Sequence, residues 1–102
     1  ANDYDYKYIF SKQINAIGKK EDLLIAFTTS GNSSNICEAI NSAKKIKIPV
    51  VLITGKDGGK ASNLLSSEDI EIRVPSDRTA RIQEIHLIII HSICECIDEH
   101  LT

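Results

Sequence analysis

The chain has 102 residues, 42% of them hydrophobic and 25% charged, with a formal net charge of −2. That is an ordinary globular balance with room for one modest core. The near-neutral, interspersed charge excludes the basic patch typical of nucleic-acid or membrane-surface proteins, so neither partner is expected. The longest apolar runs, LLIAF and HLIIIHSI, are far too short to span a bilayer.

In chain order, the polar, Tyr-rich start gives way to Ile9, Phe10, Ile14 and Ile17 at helical spacing, which predicts a helix over 6–17 stopped by Gly18. DLLIAFT (22–28) is a continuous apolar run of strand length, as expected for a strand covered on both faces. A polar loop follows. SNICEAINSAKKIK (34–47) sets Ile36, Ala39, Ile40 and Ala43 on one helical face, with lysines in the last turn and Pro49 beyond its end. PVVLITG (49–55) reads as a second buried strand and GKDGGK (55–60) as a glycine-rich turn. KASNLLSS has the composition of a short helix, and DIEIRVP (69–75) alternates as a third, more exposed strand. From Thr79 to Leu101 runs one long helix. Its middle is apolar almost all round, which predicts burial, in part against another chain.

This alternation of helices and strands predicts an α/β layered domain with a parallel sheet. Three strands are too few to cover the last helix, so the chain reads as part of a larger unit. It contains no methionine and begins at Ala1, which suits the same reading. Three cysteines, Cys37, Cys94 and Cys96, have no disulfide-framework spacing and point to a reducing compartment. They are read as packing thiols. Cys94 and Cys96 are two apart and would face different sides of a helix, which weakens a metal-binding reading.

The chemistry concentrates in FTTSGNSSNI (27–36). Loop 28–33 carries four hydroxyls, on Thr28, Thr29, Ser30 and Ser33, around Gly31. Ligands of open α/β sheets sit at the carboxyl ends of strands, and this loop occupies such an end. The helix that follows contributes unpaired N–H groups and the positive end of its dipole. Hydroxyls add donors and Gly31 allows a tight turn, so the loop suits a phosphate without any lysine. A helix cap at Ser33 or Ser34 is the competing explanation, and it accounts for one hydroxyl rather than four. No G-K-[ST] follows, so this is not a Walker loop. GKDGGK is read as a structural turn whose glycines supply positive φ, because Asp57 opposes an anion and no strong helix follows.

FTTSGNSSNI, LITGKDGGK and VPSDRTARIQEIHLIIIHSICECI, in this order and spacing, resemble the phosphoheptose isomerase family, a branch of the sugar isomerase (SIS) domain group. The stretch ANDYDYKYIFSKQINAIGKKEDLLIAF is similar to that family as well, so the resemblance covers the whole chain. It implies a flavodoxin-like three-layer α/β sandwich, of which residues 1–102 form the C-terminal portion of a single SIS domain. It implies a cytoplasmic, zinc-dependent homotetramer with active sites shared between subunits. The implied reaction converts sedoheptulose 7-phosphate to D-glycero-D-manno-heptose 7-phosphate in bacterial lipopolysaccharide heptose synthesis.

By motif position the resemblance assigns phosphate binding to Thr28, Thr29, Ser30 and Ser33, and lining of the substrate pocket to Asn2 and Asp3. Gln83 would touch substrate and metal, and His91 would be a zinc ligand and the acid/base group. Ala80 stands where some members carry an aspartate and receives no role. The family's metal-binding His and Glu, the latter its usual catalytic base, belong to a stretch preceding the one matched here. The 102 residues are therefore expected to be inactive alone. Gln83 and His91 are eight residues apart, about 12 Å along a helix and about 80° around it, so one ion is hard to share within a single copy. His86 is read as structural, His100 receives no role, and Glu84 is either a surface carboxylate or a group that orients a metal ligand. The alternative function is a non-catalytic SIS module that binds sugar phosphates or serves as a scaffold for a replication initiator.

Overall fold

Apolar periodicity and strand-length hydrophobic runs settle into the expected order of elements. The computed structural model describes residues 6–101. They form α1 (Ile9–Ile17), β1 (Leu24–Phe27), α2 (Ser34–Ile46), β2 (Val50–Gly55), α3 (Gly59–Ser62), β3 (Ile70–Val74) and α4 (Thr79–Leu101). The strands make one parallel sheet in the order β1-β2-β3. Asn2 and Asp3 lie outside the described residues.

Alternation along the strands divides the side chains between two faces. Ala26 of β1 joins Val50 and Leu52 of β2, with Ile40 and Ala43 of α2 and Ala61 of α3, in the main core, and Leu24 of β1 and Ile14 of α1 pack against it. Ile40, Leu52, Ile53 and Val50 are essentially fully buried. Each such side chain contributes about 1.5–3 kcal/mol through burial. On the opposite face Phe27 meets His86 of α4 edge-on, with ring centroids 5.6 Å apart. Ile82 of α4 presses on Gly55 so closely that a Cβ there would lie 2.5 Å from its Cδ1. Helices on both faces of a parallel sheet make the α/β/α arrangement.

Helix α2 ends because Lys47 turns into the left-handed region, φ 68°. Its N–H returns to Ala43 O and Lys44 O, which closes the helix in the manner usually given to glycine. The Asp69 carboxylate, its side chain fully buried, ties this end to β2 and the start of β3. It accepts from Val50 N–H, Ser66 N–H and the Lys44 ammonium.

The long helix departs from its expected burial. Only Ile82 and His86 of α4 are buried, while Leu87, Ile88, Ile97 and Leu101 are exposed. The reason is geometric: a 23-residue helix is about 35 Å long and lies over a sheet only three strands wide. An apolar groove of about 510 Å³ opens between its last turns and β1, lined by Leu23, Ile25, Ile93, Ile97 and Leu101. Strand β3 is the most exposed of the three, as expected, but it is the apolar Ile70 and Ile72 that are open to solvent. Cys37 is half-buried, and burial pushes its thiol pKa up, as suits a packing thiol. Cys94 and Cys96 depart from the packing role and are exposed on α4. Among the described residues no helix is long and apolar enough to cross a membrane.

Candidate functional site

Thr28 is the first residue past β1, and its N–H still donates to Ile53 O of β2 at 3.0 Å, so the sheet itself fixes the root of the loop. The buried Thr28 Oγ1 accepts from Gly31 N–H at 3.2 Å and lies 3.2 Å from Ser33 Oγ. One turn farther out, Ser30 Oγ accepts from Asn32 N–H at 3.1 Å, which leaves its own proton available to a ligand. Gly31 has φ 78°, a conformation that glycine takes at no steric cost. The four hydroxyls predicted to bind phosphate therefore belong to one tight turn at the carboxyl end of β1.

Ser33 is the N-cap of α2, yet its side chain makes no capping hydrogen bond. Its hydroxyl is paired with Thr28 instead. The capping explanation thus fails for the residue best placed to fulfil it. At the start of α2, Ile36 N–H donates to Asn35 Oδ1 at 2.9 Å, whereas the N–H groups of Ser34 and Asn35 have no intrahelical acceptor by position. Hydroxyl donors, early helical N–H groups and a helix N-terminus with no acidic residue in its first turn are the groups from which an anion site can be built.

The glycine-rich turn, read as structural, holds this loop from behind. Gly58 and Gly59 both have positive φ, and Asp57 Oδ1 accepts from Gly59 N–H, turned inward on its own loop. Ala61 N–H donates to Gly31 O at 2.8 Å, and Lys60 N–H donates to Asn32 Oδ1 at 3.0 Å. Asn32 is a site residue that sequence reasoning missed. Its partner is 28 positions away, and no local pattern signals such a bond.

Gln83 and His91 are both exposed on α4, free of the core. His86, by contrast, is buried, with Nε2 2.8 Å from Thr54 O, which is the structural role expected of it. Glu84 pairs with Arg81 at 3.0 Å on the surface, where both side chains are exposed. His100 lies 2.8 Å from Cys96 O within its own helix. No group of three His, Cys, Asp or Glu side chains among the described residues is placed to hold a metal ion. The described stretch alone does not fit a complete zinc centre.

A family model described as SIS domain matches residues 1–93. Curated relatives named phosphoheptose isomerase, from Alteromonas mediterranea and Colwellia psychrerythraea, are 54% and 56% identical over 99% of this chain. The chain spans about half the length of these relatives, 51% and 52%. A phosphoheptose isomerase structure from Neisseria gonorrhoeae superposes with a TM-score of 0.88 at 46% identity, covering 94% of this chain and 53% of that one. One from Francisella tularensis gives 0.90 at 44% identity, covering 96% and 53%. With the hydroxyl loop at the end of β1 and a family match over nearly all of its length, the chain belongs to the SIS domain family.

Proposed function

We propose that these residues supply the phosphate-binding half of a phosphoheptose isomerase acting on sedoheptulose 7-phosphate. The observation that carries the reading is the turn 28–33, where Thr28, Ser30 and Ser33 point their hydrogen bonding at one another and at the loop rather than at a helix cap. The names of relatives above 50% identity supply the sugar.

The phosphate anchors one end of the sugar at the loop. Aldose–ketose interconversion then moves a proton between neighbouring carbons through an enediol, which requires a base at the carbon and a group to handle the oxygen proton. The His91 imidazole is exposed, and an imidazole can both donate and accept a proton, so it suits the second task. Zinc would supply carbonyl polarisation. One copy of this stretch offers it the His91 imidazole or the Gln83 carboxamide, and the remaining ligands and the carbon base come from outside these residues. The exposed apolar residues of α4 support association with further chains; the homotetramer, the cytoplasm and lipopolysaccharide heptose synthesis are what the family resemblance implies.

Calorimetric titration tests the anchor. Sedoheptulose 7-phosphate and inorganic phosphate are expected to bind, unphosphorylated sedoheptulose much more weakly, and Ser33→Ala to lower phosphate affinity about tenfold through loss of a hydrogen bond to a charged group. Equal binding of the two sugars would remove the reading. Binding without turnover in the protein at its relatives' full length would leave a sugar-phosphate-binding module. Turnover by the 102 residues unaided would overturn the half-site division. In an active full-length protein, His91→Ala is expected to lower kcat by about a hundredfold or more while leaving the melting temperature unchanged, because the side chain is exposed.

A further inference from the structure

Beneath the glycine turn lies a polar cluster that the isomerase reading does not use. Glu71 of β3 is mostly buried, and its carboxylate is the centre of the cluster. Oε2 accepts from Thr54 Oγ1 at 2.7 Å and from Arg73 Nε at 2.8 Å. Oε1 accepts from Ser62 Oγ at 2.6 Å and from Arg73 Nη2 at 3.0 Å. Arg73 Nη2 also reaches Ser62 Oγ at 3.1 Å. Three elements, β2, α3 and β3, are thereby clamped through one carboxylate.

This cluster touches the anion loop through two glycines. A Cβ on Gly58 would lie 2.4 Å from Arg73 Nη2 and 2.8 Å from Glu71 Oε2, so the turn rests directly on the ion pair. On the other side of the same turn, a Cβ on Gly59 would lie 2.6 Å from Ser30 O and 2.6 Å from Gly31 C. The path from Glu71 to the hydroxyl loop is therefore continuous: the carboxylate and guanidinium tips meet Gly58, and from Gly59 to Ser30 and Gly31 it is backbone against backbone. Backbone packed this tightly transmits a displacement rather than absorbing it.

We infer that Glu71, held by Arg73 and Ser62, is a positioning residue for the phosphate loop: it seats the Gly58–Gly59 turn against which Gly31 and Ser30 are folded. A carboxylate this near an anion site would repel the ligand unless its charge were matched, and the bidentate Arg73 contact matches it. The bonds from Arg73 hold the carboxyl at about 2, so it stays ionised, and the clamp intact, throughout the neutral range. The inference rests on the reading of loop 28–33 as the phosphate site.

The test measures inorganic phosphate affinity by calorimetry in the protein and in Glu71→Gln, Arg73→Met and Ser33→Ala, with Ile40→Val as a core control of comparable melting temperature. Glu71→Gln and Arg73→Met are each expected to weaken phosphate binding about tenfold, the range for residues that act without touching ligand. The double variant is expected to lose less than the product of the two, because both break one clamp. Ile40→Val should bind like the parent, which separates positioning from general destabilisation. Arg73 is exposed, so its variant keeps the test alive if Glu71→Gln does not fold. Wild-type affinity in both clamp variants, with Ser33→Ala weakened, overturns this inference alone. Wild-type affinity in Ser33→Ala overturns the phosphate site itself.

Discussion

Gly31→Ala is expected to abolish measurable phosphate binding and to cost about 3 kcal/mol or more of stability. Two independent penalties coincide at this position. With φ at 78°, an alanine would sit in the left-handed region, at about 1–2 kcal/mol. Its Cβ would also lie 1.9 Å from Gly58 O, 2.3 Å from Gly58 C and 2.8 Å from Gly59 N, all backbone atoms. A flexible side chain could swing aside, but here the obstacle is a turn braced from below by Arg73 and Glu71. Relief requires the two loops to separate, which breaks the Ala61 N–H to Gly31 O bond and shifts the Thr28–Ser33 pair. Thermal melting and phosphate calorimetry on the same variant check both halves. Parent-like values in both would mean that the two loops are not in rigid contact.

Replacement of Asp69 carries the second large effect, a loss of about 3–5 kcal/mol for Asp69→Ala, because a buried charged network loses its centre. Val50 N–H and Ser66 N–H would lose their acceptor, and the Lys44 ammonium would keep only Ser66 Oγ. Burial alone would raise the Asp69 pKa. The bonds from Lys44, Ser66 and Val50 outweigh it and hold the carboxyl at about 2, below the ordinary 3.8. A depressed pKa stabilises the fold above the unfolded value and loses that contribution as pH falls through the folded one. The stabilisation, about 2 kcal/mol, is therefore complete above about pH 5 and drains between pH 4 and 2. Glu71, also held at about 2, adds to the same window. Denaturant melts from pH 7 to pH 2 should show a steep decline in the parent and a shallower one in Asp69→Ala. Identical pH slopes would show that Asp69 titrates alike in the folded and unfolded chain.

These two variants fall on opposite sides of what sequence reading reaches. Gly31 stands out in FTTSGNSSNI, since a glycine amid hydroxyls at a strand's exit is a local pattern with a local physical reason. Asp69 does not stand out. DIEIRVP marks it only as the polar residue ahead of an alternating strand, and its partners lie 19 and 25 positions away. Glu71 and Arg73 read as the solvent half of the alternation, yet Glu71 is mostly buried beneath the glycine turn. In α4, the all-round apolar middle indicated burial, and this chain leaves much of it exposed. Composition reports that a surface prefers to be covered, but not whether a partner surface is present.

From its sequence alone this protein determines its element order, the parallel sheet and the hydroxyl loop at the end of β1. Each follows from interactions among near neighbours: periodicity, β-branched runs, glycine backbone freedom and hydroxyl density. Only the tertiary structure decides that Ser33 pairs with Thr28 instead of capping α2, that GKDGGK lies against Gly31, and that Glu71 clamps three elements beneath it. Those outcomes depend on contacts between residues far apart in the chain, where packing distance and charge matching select one arrangement that local pattern leaves open.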